Sequence, residues 1–139
     1  MFTNQVMRPR TEWITPDVTV QEAARKMCES NVGCLPVGEN DRLVGVITDR
    51  DITCRAVAEG WDPKVTPVRE IMSKGIVYCF DDQDVEEAAW HLEKQRLHRI
   101  VVLNKNRRLV GMLSLSDIAT NCAHDLTGEL MQAISHRAR

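Results

Sequence analysis

An excess of charge of either sign is missing from this chain: 18 basic residues stand against 20 acidic ones, a net charge of −2. A balance that even gives no field-driven attraction to nucleic acid or to an anionic membrane. No apolar run is long enough to cross a bilayer. The opening MFTNQVMRPR lacks the apolar core of a signal peptide. The expectation is a cytoplasmic protein with neither nucleic acid nor membrane as partner. The cysteines number five, irregularly spaced and without a C-x-x-C, and read as reduced thiols rather than a disulfide frame. Cys28 and Cys34 fall at apolar-pattern positions and are expected as small core residues. A phosphate loop, a metal cluster and a recognisable nucleophile–base pair are also missing, which argues against an enzyme.

What the sequence does have is a repeat. Gly45-Val46-Ile47-Thr48-Asp49-Arg50-Asp51 returns as Gly111-Met112-Leu113-Ser114-Leu115-Ser116-Asp117. Each follows an apolar pair and runs on into an isoleucine, Ile52 or Ile118. The pair belongs to a longer duplication at an offset of 65, matching Met7 with Met72, Val20 with Val85, Ala23-Ala24 with Ala88-Ala89 and Val37 with Val102. One inserted residue before the signature makes the later offset 66. At 139 residues the chain suits one body with a good-sized core, divided by the repeat into residues 1–62, a linker at 63–67 holding Pro63 and Pro67, residues 68–124, and a tail at 125–139.

Within each copy the periodicity predicts strand–helix–strand–strand–helix. Thr19 and Glu22 have the form of a capping box opening a helix with the stripe Val20, Ala23, Ala24, Met27. Asn31 and Gly33 end it. Strands are expected at Cys34–Val37 and Arg42–Thr48 around a turn at Glu39-Asn40-Asp41. A helix follows from Asp49 to a stop at Gly60. In the second copy Ile76–Phe80 is a strand, and Asp84 with Glu87 caps a helix over Val85, Ala88, Ala89 and Leu92. Strands at Ile100–Leu103 and Arg108–Ser114 come next, then a helix to about His124. Asp125–Ile134 is a short closing helix and Ser135–Arg139 a frayed end. Thr3–Met7 and Val68–Met72 are lead-ins. The fold class is α/β (α+β). One apolar sheet face per copy stays bare unless the two copies stack sheet to sheet about a pseudo-two-fold axis.

These residues resemble the tandem CBS-domain pairs, named for the domain of cystathionine β-synthase. The resemblance covers nearly the whole chain. It rests on the duplicated element order, the Gly33-Cys34-Leu35-Pro36-Val37 run and the two in-register signatures, and it is similar to stand-alone bacterial pairs with no attached enzyme or channel. It implies a regulatory module that binds an adenosine-containing ligand (AMP, ADP, ATP, NAD or S-adenosylmethionine) in clefts between two units, with no covalent cofactor. It also implies a homodimer formed through helices, its downstream effector unnamed. Residue by residue, it implies that Asp51 and Asp117 hold ribose hydroxyls, and that Thr48 and Ser114 lie near ribose or phosphate. Leu35, Pro36, Ile100 and Val101 match adenine-lining positions. Val18, Ala23, Gln83 and Ala88 fall near contact positions, and His98-Arg99 resembles a phosphate-meeting pair. Gly33-Cys34 stands where the second copy has His98-Arg99, and Asp81 stands where the first has Pro16, so the clefts are expected to be non-equivalent.

The chemistry of the same residues leaves alternatives open. Thr48 with Asp51, and Ser114 with Asp117, place a hydroxyl and a carboxylate at a helix start, suited to an anion and a diol or to capping alone. Arg99 is either a phosphate clamp or the partner of a helix carboxylate. His98 is a phosphate contact or a partly exposed capping imidazole. Cys122-Ala123-His124 is a two-ligand fragment of a metal site or a helix end with a buried thiol, the second being the better fit. The basic residues of Asn104–Arg108 suit a solvated hairpin tip. Trp90 lies one step off its helix stripe and is expected at a contact surface. A scaffold protein of the same fold with empty clefts is the competing function.

Overall fold

The computed structural model describes residues 1–9, 13–40, 42–122 and 124–135. The turn residue Asp41, Ala123 of the Cys-Ala-His run, and the tail from 136 lie outside the described residues. In chain order the elements are α1 (Thr3–Val6), β1 (Arg8–Pro9), α2 (Val20–Ser30), β2 (Cys34–Glu39), β3 (Arg42–Thr48), α3 (Asp49–Asp51) and a π-helix (Ile52–Val57). A 3₁₀ turn (Val68–Glu70), β4 (Tyr78–Phe80), α4 (Val85–Gln95), β5 (Arg99–Leu103), β6 (Leu109–Ser114), α5 (Leu115–Asn121) and α6 (His124–Ser135) follow.

Two compact units form, and their borders do not follow the sequence repeat. One is Glu12–Ile76; the other joins Met1–Thr11 to Val77–Arg139. Each copy's lead-in therefore belongs to the unit of the other copy. The main-chain bonds show this, and they repeat at the sequence offset. The Val68 and Arg69 amides donate to the carbonyls of Val18 and Pro16, at 2.8 and 3.1 Å. In the other unit the Thr3 and Asn4 amides donate to Gln83 and Asp81, at 2.8 and 3.0 Å. Asp81 thus serves as Pro16 does, through its carbonyl.

In the Glu12–Ile76 unit, β2 and β3 form an antiparallel hairpin, with Ile14 bridging parallel to Val37 and Ser73 antiparallel to Val46. The first strand of the expected strand–helix–strand–strand–helix order is reduced in this unit to the Ile14 bridge. α2 starts where the sequence places it: Thr19 Oγ1 accepts from the Glu22 amide at 3.2 Å. It ends at Asn31, whose left-handed φ of 53° breaks the helical run. Val20, Ala23 and Met27 bury the stripe against Leu35, Val37 and Ile47. Cys28 is exposed, contrary to expectation, because it sits one step past Met27 and off that stripe, whereas Cys34 is buried in β2. After α3 the chain widens into the π-helix and stops near Gly60, at φ 75°.

The other unit has a four-stranded sheet ordered β1-β6-β5-β4, with β4 parallel to β5 and the other pairs antiparallel. Ile76 and Val77, expected in β4, lie before it. Asp84 caps α4 through the Glu86 amide at 2.9 Å, not through a pairing with Glu87. Glu87 instead accepts from Gln83 Nε2 at 3.2 Å. The stripe Val85, Ala88, Ala89 and Leu92 packs on Ile100, Val102 and Leu113, with Leu130 and Ile134 of α6 completing the core. The helix expected to reach His124 ends at Asn121, and His124 opens α6. Ser135, expected to be frayed, is the last residue of α6.

Candidate functional site

Both signatures fold into reciprocal caps. The Asp51 amide donates to Thr48 Oγ1 at 3.1 Å, and the Thr48 amide donates to Asp51 Oδ2 at 2.9 Å. Asp117 and Ser114 repeat this at 3.1 and 2.9 Å. A short polar side chain at the N-cap and a carboxylate three residues on satisfy two backbone donors that the helix leaves unpaired. A main-chain bond closes each turn: the Asp49 amide to the Gly33 carbonyl at 2.9 Å, the Leu115 amide to His98 at 2.8 Å. Capping is therefore a role both aspartates fill. It engages Oδ2 of each and leaves Oδ1 in a fixed direction.

What faces the second oxygen differs. In the Glu12–Ile76 unit the Ser73 hydroxyl lies 3.4 Å from Asp51 Oδ1 and Arg55 Nε lies 3.8 Å from it. Arg55 Nη1 also donates to the carbonyls of Ile71 and Met72, at 3.1 and 3.3 Å, and so ties the lead-in to the π-helix. In the other unit Arg8 Nε lies 3.9 Å from Asp117 Oδ1. Ser73 and Arg8 sit at matching positions of the two copies, just after the matched Met72 and Met7. Sequence reasoning missed Arg8, Arg55 and Ser73. The usable signal was the pair of signature glycines. A Cβ on Gly45 would come within 2.8 Å of the Ser73 carbonyl oxygen, and one on Gly111 within 2.6 Å of that of Arg8. Only a residue without a side chain lets these backbones approach so closely.

The other candidates divide by sheet face, since successive strand residues point to opposite sides. Leu35 and Ile100 point into the helix-side cores, where Ala23 and Ala88 are also fully buried. Pro36 and Val101 are buried on the opposite faces, paired with Val46 and Met112. Thr48 shares the Pro36 face. Ser114 shares the Val101 face and is paired with Arg99 across β5 and β6. Arg99 and His98 are exposed, and among the described residues the Arg99 side chain has no carboxylate partner. Val18 is half-buried and its carbonyl holds the lead-in. Gln83 is a turn residue: Oε1 accepts from the Phe80 amide at 2.8 Å and its carbonyl from Thr3 Oγ1 at 3.0 Å.

Cys122 is half-buried, its thiol pKa raised chiefly by burial. Burial, then the charge of Asp81, pushes the Cys79 thiol up to about 12. Among the described residues no three His, Cys, Asp or Glu side chains converge as a metal site. No helix among them is long and apolar enough to cross a membrane. Trp90 is 53% exposed, edge-on to His91, with Lys94 Nζ 5.2 Å above its ring.

Known proteins show the same organisation. The CBS domain sequence profile matches residues 4–56 and 68–124. The CBS domain-containing protein YhcV of Bacillus subtilis is 36% identical over 132 residues, covering 94% of this chain and 93% of its own length. A crystal structure of Hypoxic Response Protein I with two coordinated zinc ions superposes with a TM-score of 0.78 at 30% identity, over 88% of this chain and all of that one. A CBS domain pair solved with 5′-methylthioadenosine and S-adenosyl-L-methionine superposes at 0.72 and 25% identity, over 86% of this chain and 94% of that one. With two profile matches, a duplicated signature and two mixed α/β units built alike, this chain belongs to the CBS domain family.

Proposed function

We propose that the chain is a regulatory module that binds an adenosine-containing ligand through the signature ends of its two units, and not a catalyst. One observation carries this reading. In both units the cap fixes Oδ2 of the signature carboxylate and leaves Oδ1 outside the cap, and the N-cap residue shares its sheet face with an apolar strand residue, Pro36 in one unit and Val101 in the other. A carboxylate oxygen so placed accepts from a ribose hydroxyl, and the apolar strand suits a flat base. The solved relative that carries 5′-methylthioadenosine and S-adenosyl-L-methionine supports the ligand class. Thr48 and Ser114 stand at the ribose or phosphate end, with His98 and Arg99 as phosphate contacts in the second unit only.

A thermal-shift panel of AMP, ADP, ATP, NAD and S-adenosylmethionine tests the reading. A ligand that binds only the folded chain adds about 2.7 kcal/mol at a hundred times its dissociation constant, a rise that grows with concentration. A melting temperature that none of the five moves would favour a scaffold with empty sites. We further propose a homodimer through helices, motivated by the exposed Trp90 on α4.

A further inference from the structure

Arg8 reaches the second signature from outside the copy that contains it. It lies in β1, opposite Met112, and Ser114 lies two residues further along β6 on the same face. Arg99, opposite Ser114, flanks β6 from the other side of that face. Two guanidinium groups therefore border the Ser114–Asp117 cap. The matching positions in the Glu12–Ile76 unit are Ser73 and Cys34. The cation that faces Asp51 there, Arg55, is already committed to the carbonyls of Ile71 and Met72.

We propose that Arg8 is a specificity-determining residue that meets the phosphate of a phosphorylated adenosine ligand at the second unit, making that unit selective for anionic over uncharged ligands. This rests on the adenosine reading above and deepens it. The contact between Arg8 Nε and Asp117 Oδ1, 3.9 Å long with the Arg8 side chain 73% exposed, is too long for a hydrogen bond. It is the kind of exposed ion pair that contributes little to a fold. Among the described residues it is the only side-chain partner Arg8 has. A ribose hydroxyl arriving at Oδ1 displaces a weak contact and leaves the planar fork free for a phosphate, which it fits in bidentate fashion. The first unit, with Ser73 in that place, offers a neutral hydroxyl, and ligands without phosphate are tolerated there.

Titration calorimetry on the full chain with adenosine, AMP and ATP tests this in the parent, Arg8→Ser and Arg8→Lys. Arg8→Ser installs the residue that the other unit carries and leaves the β1 main-chain pairing available. The expected result is a loss of roughly tenfold in AMP and ATP affinity in Arg8→Ser, the loss of one charged hydrogen-bonding contact. Adenosine affinity stays within about twofold, and Arg8→Lys falls between. AMP-to-adenosine and ATP-to-adenosine ratios equal to the parent's in both variants would overturn the role of Arg8 while leaving the adenosine reading intact. A parent that binds none of the three would overturn the role of Arg8, and would overturn the adenosine reading as well if NAD and S-adenosylmethionine also leave the melting temperature unmoved.

Discussion

Asp117 Oδ2 accepts from the Ser114 amide at 2.9 Å, while Oδ1 of the same carboxylate points toward Arg8. On the proposed reading, cap and binding surface are two oxygens of one side chain, so substitutions can separate them. Asn keeps an acceptor for the Ser114 amide and loses the charge. Asp117→Asn is expected to melt close to the parent and to bind adenosine ligands about tenfold or more weakly, since a hydrogen bond to a charged group contributes about 1.5–3 kcal/mol. Asp117→Ala should lose that affinity and also about 0.5–2 kcal/mol of stability with its half of the cap. Paired melting curves and titrations check this. Full affinity in the Asn variant would remove Asp117 from the site.

The exchanged lead-ins make a separate prediction. Gly111→Ala sets a Cβ within 2.6 Å of both the Arg8 carbonyl oxygen and the Met7 sulfur. The sulfur can move, but the strand backbone cannot without breaking the β1–β6 pairing. The substitution is expected to cost about 1–3 kcal/mol and to expose residues 1–9 to limited proteolysis. Gly45→Ala should act likewise on Ser73, where the approach is 2.8 Å. A variant as stable and as protease-resistant as the parent would show that the lead-in is not anchored there.

Much of this was legible in the sequence, for local reasons. Thr19 and Asp84 cap the helices they precede, Val20, Ala23 and Met27 of the α2 stripe are buried where the spacing puts them while Ala24 is only half-buried, and β3 spans the residues its pattern marks. The two Thr/Ser–Asp caps were visible because N-cap and carboxylate lie three residues apart. The exchange was not legible. A four-residue helix and a two-residue strand carry no periodicity, and Arg8 finds Met112 across most of the chain. The π-helix was hidden as well: its apolar spacing differs little from that of an α-helix, and the widening shows only in the backbone bonds. Arg8, Arg55 and Ser73 went unnoticed because each reaches its aspartate from another element or another turn.

The cysteines separate by burial. Cys28 and Cys54 are exposed, Cys34 and Cys79 buried. Alkylation of the native chain at neutral pH, read by peptide mass spectrometry, should label the first two and spare the second two. Cys79 also makes a pH prediction. Burial raises its thiol pKa from 9.0 to about 12, so the folded chain keeps a proton that the unfolded chain releases above pH 9. This contribution to stability is complete below pH 9 and is lost as pH rises toward about 12. Cys79→Ala should therefore show a shallower alkaline loss than the parent over that window. Equal slopes would contradict the assignment.

Trp90 is expected to anchor self-association. Light scattering on the parent at micromolar concentration should report a dimer, and Trp90→Ala should weaken it by about 2 kcal/mol or more, as buried aromatic anchors do. A monomeric parent would rule the interface out.

The measurement closest to the central claim is a calorimetric titration of the full chain with AMP and S-adenosylmethionine, with Asp51→Asn and Asp117→Asn alongside. Saturable binding of at least one of them is expected, to one site or to two of unequal affinity, with AMP binding lost chiefly in Asp117→Asn. No heat from either ligand, or two identical and independent sites indifferent to both substitutions, would contradict it.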